Sequence, residues 1–117
     1  MAASERLICA SADLIDGGRG VRFVIERQAG MLPAFAVRYK EKVFAYINEC
    51  GHVPIELDWN EGEFFDLSRL YLICSTHGAM YEPSTGVCLA GRCDGRGLKA
   101  LRMVERDGNV YLKLEGD

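Results

Sequence analysis

The chain contains two histidines, and each closely follows a cysteine: Cys50-Gly51-His52 and Cys74-Ser75-Thr76-His77. These C-x-H and C-x-x-H pairs are 21 residues apart. Thiolate and imidazole are common ligands for transition metals, and a close pair on a loop can bring both donor atoms to one centre. Four such donors complete a ligand set. With only 5 cysteines in 117 residues, chance rarely puts one just ahead of every histidine.

The elements that must position these residues read as strands. Short apolar or alternating runs recur at 6–11, 21–27, 34–40, 43–48, 70–74, 98–104 and 110–115. Turn-formers separate them: Gly17-Gly18-Arg19-Gly20, Gly30 with Pro33, Thr85-Gly86, glycines 91, 95 and 97, and Asp107-Gly108-Asn109. The clearest hairpins are at 39–44 and 105–111, where two strand-like runs flank a short polar turn. No run of a dozen residues has a convincing period of 3.6, so no long helix is expected, while a turn or two of helix fits within 53–69. The class is all-β. From Asn48 to about Gly97 the chain is richer in Cys, Gly and His than its flanks, as if a loop-rich subdomain of about 48–97 were set into a β scaffold.

At 117 residues the chain has the size of a single domain, 1–117. Apolar residues make up 49% and charged residues 26%, a soluble globular balance. A net charge of −3 gives no general attraction to nucleic acid or anionic lipid. No apolar segment approaches the length of a membrane span, and the first residues do not resemble a secretory signal, so a cytoplasmic protein is expected. Five cysteines without such a signal suit a reducing compartment, where thiols act as ligands or small core residues rather than as a disulfide framework.

Two centres fit the four donors. Cys2His2 is a common structural zinc set, but its pairs are usually Cys with Cys and His with His. Mixed pairs suit a [2Fe-2S] cluster in which one iron keeps two thiolates and the other takes two imidazoles. Here the chain resembles the Rieske [2Fe-2S] proteins. The resemblance rests on Cys50, His52, Cys74 and His77, then Gly78, the aromatic Tyr81 four residues after the second histidine, and the Thr85-Gly86 turn. It implies an antiparallel β sandwich or barrel with an inserted cluster-binding subdomain. Cys50 and Cys74 would hold one iron, and His52 and His77 the iron nearer the surface.

Within that family the resemblance is to the small ferredoxins. Members from cytochrome bc complexes add a disulfide between the two ligand loops, and the matching positions here are Ile55 and Thr76. An oxygenase needs a further mononuclear iron held by two histidines and a carboxylate, and no histidine remains for it. The resemblance therefore implies a one-electron carrier without turnover of its own, serving a reductase and an oxygenase-type acceptor. Alternatives are a redox sensor, an accessory subunit of an oxidoreductase complex, and a zinc-stabilised binding domain. Around the cluster, Gly78, Ala79 and Tyr81 are expected neighbours. High-potential members carry Ser where Ala79 stands and Tyr where Tyr81 stands, so one of two donors to the cluster sulfurs is present. Tyr81 also reads as a strand aromatic packed beneath the loop.

The chain departs from the family pattern in two places. The connector between the ligand pairs is several residues longer than is usual, and its stretch 57–66 carries Trp59, Phe64, Phe65 and a run of acidic groups. It reads as a solvated loop with its aromatics in the core, or more sharply as a docking loop for a basic partner. The third loop, within 87–98, has Arg92 after Gly91 where proline is expected. Cys88 and Cys93 are read as free thiols, with a disulfide or redox pair between them as the alternative, Cys9 as a small buried residue, and Pro54 as fixing the first ligand loop.

Overall fold

A computed structural model describes residues 5–27, 30–49, 56–58, 60–74, 78–91 and 97–113. These contain ten strands in three sheets whose ladders are all antiparallel. One sheet joins β1 (Glu5–Ala10), β10 (Asn109–Lys113) and β9 (Met103–Arg106), in that order. The central sheet runs β2 (Val21–Arg27), β3 (Gly30–Tyr39), β4 (Lys42–Ile47), β8 (Ala100–Leu101). The third is small: β5 (Leu72–Ile73), β6 (Met80–Tyr81), β7 (Cys88–Ala90).

Both expected hairpins form with two-residue turns. Arg106 pairs with Asn109 across Asp107 and Gly108, both at positive φ (52° and 78°), which suits the right-handed twist of the flanking strands. Tyr39 pairs with Lys42 across Lys40 and Glu41, at φ 51° and 72°. Neither of these is a residue that favours that conformation. The carboxylate of Asp16 supports them, accepting the backbone N–H of Lys40 at 2.9 Å and of Glu41 at 2.6 Å.

Alternation along β3 explains the layering. Phe35 and Val37 point into one core with Tyr46, Leu57, Phe64, Leu72, Cys74, Ala79, Tyr81 and Leu98. Ala34 and Ala36 face the other way, toward Ile25, Ala45, Ile47, Val110 and Leu112. All four β3 residues are fully buried, so the central sheet is covered by the β1-β10-β9 sheet on one side and the small sheet on the other. Arg38 ties two of the sheets together. Its guanidinium meets the Glu105 carboxylate with two bonds, of 3.1 and 2.6 Å, and donates to the carbonyls of Leu14 and Ser11. The bonds from Arg38 hold the Glu105 carboxyl below its ordinary value of 4.5.

The strand-like runs become strands, with one split. The run at 98–104 divides at Arg102: β8 pairs with β4 in the central sheet, while β9 pairs with β10. The carbonyl of Arg102 accepts the Lys113 N–H at 2.9 Å at this change of sheet. Strands β6 and β7 are too short to give a sequence signal. The helical turns allowed within 53–69 are not found among the described residues of that span; the one helix among the described residues is the short 3-10 turn Ser11–Asp13. None of the described helix is long and apolar enough to cross a membrane.

Candidate metal centre

Of the four expected ligands, Cys74 lies among the described residues. Cys50, His52 and His77 lie outside them, as do Pro54, Ile55, Trp59, Thr76, Arg92 and Cys93.

Cys74 sits just past β5, fully buried in the core that includes Leu72, Ala79 and Tyr81. The turn that follows is closed twice over. The Gly78 N–H donates to the Cys74 carbonyl at 2.7 Å, and the Cys74 N–H donates to the Ala79 carbonyl at 2.9 Å. Gly78 has φ +73°, and a Cβ there would meet nothing within 4 Å, so its backbone conformation rather than space favours glycine. This turn carries the whole second pair of the motif. A thiol sealed among apolar side chains at the foot of such a turn fits a sulfur ligand of a [2Fe-2S] cluster, because burial around the sulfur is one of the levers on cluster potential.

The expected cluster neighbours occupy the same core. Ala79 is buried against Gly91, and a Cβ built on Gly91 would lie 2.7 Å from the Ala79 Cα. Gly91, at φ +95°, thus brings the segment after β7 onto the second ligand turn. Tyr81 is fully buried on β6, paired with Leu72, and belongs to the core, as the packing reading expected. Tyr46 of the central sheet supports the layer from below, its hydroxyl donating to the Pro83 carbonyl at 2.6 Å. Burial, with a smaller contribution from the Glu82 charge, pushes the Tyr46 phenol well above its ordinary value.

The stems of the first ligand segment are joined by side chains. Asn48 follows β4 and is 1% exposed. Its Oδ1 accepts the Leu57 N–H at 2.8 Å and its Nδ2 donates to Asp58 Oδ1 at 3.0 Å. Asp58 Oδ2 accepts the Gly62 N–H at 3.0 Å and lies 3.4 Å from Arg22 Nε. Arg22 also meets Glu56 at 2.7 Å and Glu61 at 3.1 Å. Sequence reasoning did not anticipate this network. Its only trace there is a polar Asn48 ending an apolar strand and an Asp58 beside the apolar Leu57.

The same bonds decide between the two readings of the connector. Phe64 is fully buried and stacked on Phe35, with ring centroids 3.9 Å apart and planes 12° apart. Phe65 stacks near Tyr39, and Phe64 accepts the Ile73 N–H through its carbonyl at 2.9 Å. Most of the acidic groups have partners within the chain: Arg22 meets Glu56, Asp58 and Glu61, and Arg19 meets Glu63 at 3.2 Å and the Glu61 carbonyl, although Glu61 and Glu63 keep much of their exposure. The aromatics Phe64 and Phe65 belong to the fold, as the plainer reading expected.

Two cysteine expectations need adjusting. Cys88 is disulfide-bonded rather than a free thiol, and its partner lies outside the described residues. Cys9 is only partly buried, packed beside Leu14, Ala36, Ala45 and Val110; desolvation, helped by the Asp13 charge, raises its thiol above the ordinary 9.0. Among the described residues no three His, Cys, Asp or Glu side chains gather as a separate metal site.

Comparison with known proteins gives a consistent picture. No curated protein sequence matches this one significantly. Among solved structures, the ferredoxin of carbazole 1,9a-dioxygenase from Nocardioides aromaticivorans IC177 superposes with a TM-score of 0.72 at 18% identity, covering 97% of this chain and 100% of that one. The Sphingomonas yanoikuyae B1 ferredoxin gives 0.70 at 21%, covering 95% and 99%. A chain in a complex of reduced oxygenase and oxidized ferredoxin in carbazole 1,9a-dioxygenase gives 0.73 at 20%, covering 99% and 98%. At these identities the likeness is one of fold. The family model for the Rieske [2Fe-2S] domain matches residues 4–105, nearly the whole sequence, and the chain belongs to that family.

Proposed function

We propose that this protein is a one-electron carrier whose Rieske-type [2Fe-2S] cluster is held by Cys50, His52, Cys74 and His77, and which passes electrons in the cytoplasm from a reductase to an oxygenase-type acceptor. The observation that carries the reading is the use of both histidines of the chain in C-x-H and C-x-x-H pairs on a Rieske fold, leaving none for a catalytic iron. The likeness to ferredoxins over nearly the full length of both chains supports the carrier role, and the carbazole dioxygenase complex supports the class of acceptor. On this reading the chain is a single domain, 1–117, with a cluster-binding subdomain of about 48–97, and it has no turnover of its own.

When bound, such a cluster takes up and releases single electrons at a potential raised by its two neutral imidazole ligands. The chain's own residues hold and shield it. Cys74 is kept from solvent, its backbone is bonded to Gly78 and Ala79, and Gly91 lies against Ala79. With Ala79 in place of a hydroxyl donor, the midpoint potential is expected in the lower to middle part of the roughly −150 to +300 mV Rieske range.

The test is direct. Purified protein should contain two irons and two sulfides, show the low-average-g electron paramagnetic resonance signal of mixed Cys/His ligation when reduced, and be reduced rapidly and reversibly by a flavin reductase. Colourless protein holding one zinc would overturn the cluster. Redox-dependent partner binding without electron throughput would overturn the carrier role in favour of a sensor. A midpoint potential above about +200 mV would overturn the assignment built on Ala79.

A further inference from the structure

The segment expected to supply Cys50 and His52 leaves the scaffold after Asn48 and Glu49 and rejoins it at Glu56-Leu57-Asp58. Its two stems are joined by side chains rather than by a strand ladder. On the outgoing side, Asn48 is anchored to β3 through its N–H, which donates to the Pro33 carbonyl at 2.8 Å. Its amide then reaches across to the returning stem with both ends in use, one to Leu57 N–H and the other to Asp58. Asp58, whose side chain has no solvent exposure, spends its second oxygen on Gly62 N–H and the nearby Arg22 of β2. Leu57 lies in the same core as Cys74, so the clamp also fixes the first segment to the layer that holds the second ligand turn.

Buried polar groups of this kind are costly when half-satisfied and rigidifying when complete. Among the described residues, the side-chain hydrogen bonds of the Asn48–Asp58 pair run between the two stems or to the turn just beyond them, and Arg22 adds a contact from β2. An apolar pair of the same size would leave the Leu57 and Gly62 N–H groups without these acceptors, so the polar pair is what lets the two stems close on one another. From this geometry we infer that Asn48, Asp58 and Arg22 are positioning residues for the cluster: they set the separation of the two stems and thereby the placement of the first Cys/His pair relative to the second. The inference rests on Cys50 and His52 being ligands. Ligand geometry and hydrogen bonding in turn govern cluster potential and retention.

The network offers a specific rescue. In Asn48→Ala the Leu57 N–H and one Asp58 oxygen lose their partner with no change in net charge. In the exchange Asn48→Asp with Asp58→Asn, all three bonds can be rebuilt, the one between 48 and 58 with its polarity reversed. The Asp carboxylate at 48 accepts from Leu57 N–H and from the Asn amide at 58, whose oxygen accepts from Gly62 N–H. Net charge is again unchanged.

The full-length holoprotein and its variants are compared by the rate of cluster bleaching under a chelator, by the reduced electron paramagnetic resonance signal, and by the oxidised-to-reduced ratio at a fixed potential. Asn48→Ala is expected to lose its cluster at least fivefold faster and to change the redox ratio at least threefold, about 28 mV at 59 mV per decade for one electron. The exchange is expected to return both to within twofold of the parent. A parent protein without the mixed-ligand signal overturns the ligand reading and this inference with it. A parent with that signal, and an Asn48→Ala protein that melts lower but matches it in bleaching, signal and redox ratio, overturns the positioning role alone. Should Asn48→Ala fail to fold, the exchange decides: parent-like cluster retention and redox ratio support the clamp, and a folded exchange protein that loses its cluster as fast as Asp58→Asn overturns it.

Discussion

The connector between the ligand pairs makes the sharpest test of the packing, because adjacent residues in it should differ widely. Phe64 has no exposed surface, and its ring stacks on Phe35 at 3.9 Å with the Gly20 backbone against it. Removing the ring in Phe64→Ala forfeits about 1.5–3 kcal/mol of transfer free energy. The cavity left behind raises the total to about 3–5 kcal/mol, depending on how far the surroundings collapse. Collapse is restrained here. Gly20 is pinned by its bond to the Gly62 carbonyl at 2.8 Å, and Phe35 sits in the central strand of a sheet covered on both faces. We therefore expect about 4 kcal/mol, a large share of the 5–15 kcal/mol typical of a domain. Urea unfolding followed by circular dichroism should show the midpoint falling by roughly 2–3 M at a slope of about 1.5 kcal/mol/M. Leu67, three residues on, is fully exposed, and Leu67→Ala should stay within about 0.5 kcal/mol of the parent. A Phe64→Ala loss below about 1 kcal/mol, or one equal to that of Leu67→Ala, would refute the assignment of this connector to the core.

Three further outcomes are expected. Tyr46→Phe leaves the Pro83 carbonyl without its donor in a buried layer and should cost about 1–3 kcal/mol in denaturant unfolding; a loss under about 0.5 kcal/mol would show that the bond to Pro83 is replaced by water. Gly91→Ala forces a side chain into φ +95° with its Cβ 2.7 Å from the Ala79 Cα, so it should both destabilise the protein by about 1–3 kcal/mol and speed cluster loss. Parent-like melting and bleaching would mean that the third loop does not rest on the ligand turn. Glu105→Gln should cost about 1 kcal/mol at pH 7, since the pair with Arg38 is partly covered but the Glu105 side chain keeps some solvent contact. Because the folded Glu105 carboxyl lies below its unfolded value of 4.5, its contribution is present above that value and is lost as pH falls through the folded one. The gap between parent and Glu105→Gln should therefore close on acidification below about pH 4.5, and a gap independent of pH would contradict the pairing.

Much of the molecule could be read from local chemistry. The all-β class followed from alternation in runs such as Val21–Arg27, whose strand has the expected bounds, and the Asp107-Gly108 turn followed from the demand for positive φ at both positions. The two Cys/His pairs stand out in the sequence because thiolate and imidazole at short spacing have few other uses, and of their four residues Cys74 lies among the described ones. Less legible were strands of two or three residues such as β6 and β7, where no period can be expressed, and the break at Arg102, where one apolar run serves two sheets. The Lys40-Glu41 turn gave a hairpin signal, but the cause of its stability lies in Asp16, 24 residues away.

By itself, then, the sequence determined the chemistry: which donors the chain owns, that they come in two mixed pairs, and that strands must carry them. Those are properties of residue type and short spacing. Tertiary structure decided what the intervening residues are for. The acidic and aromatic connector reads first as a solvated loop with its aromatics in the core and second as a docking surface, and the choice is made only when Arg19 and Arg22, more than thirty residues earlier, are brought against it and Phe64 is laid on Phe35. Charge and aromaticity are local properties, whereas the partner that neutralises a charge or covers a ring is chosen by how the sheets stack.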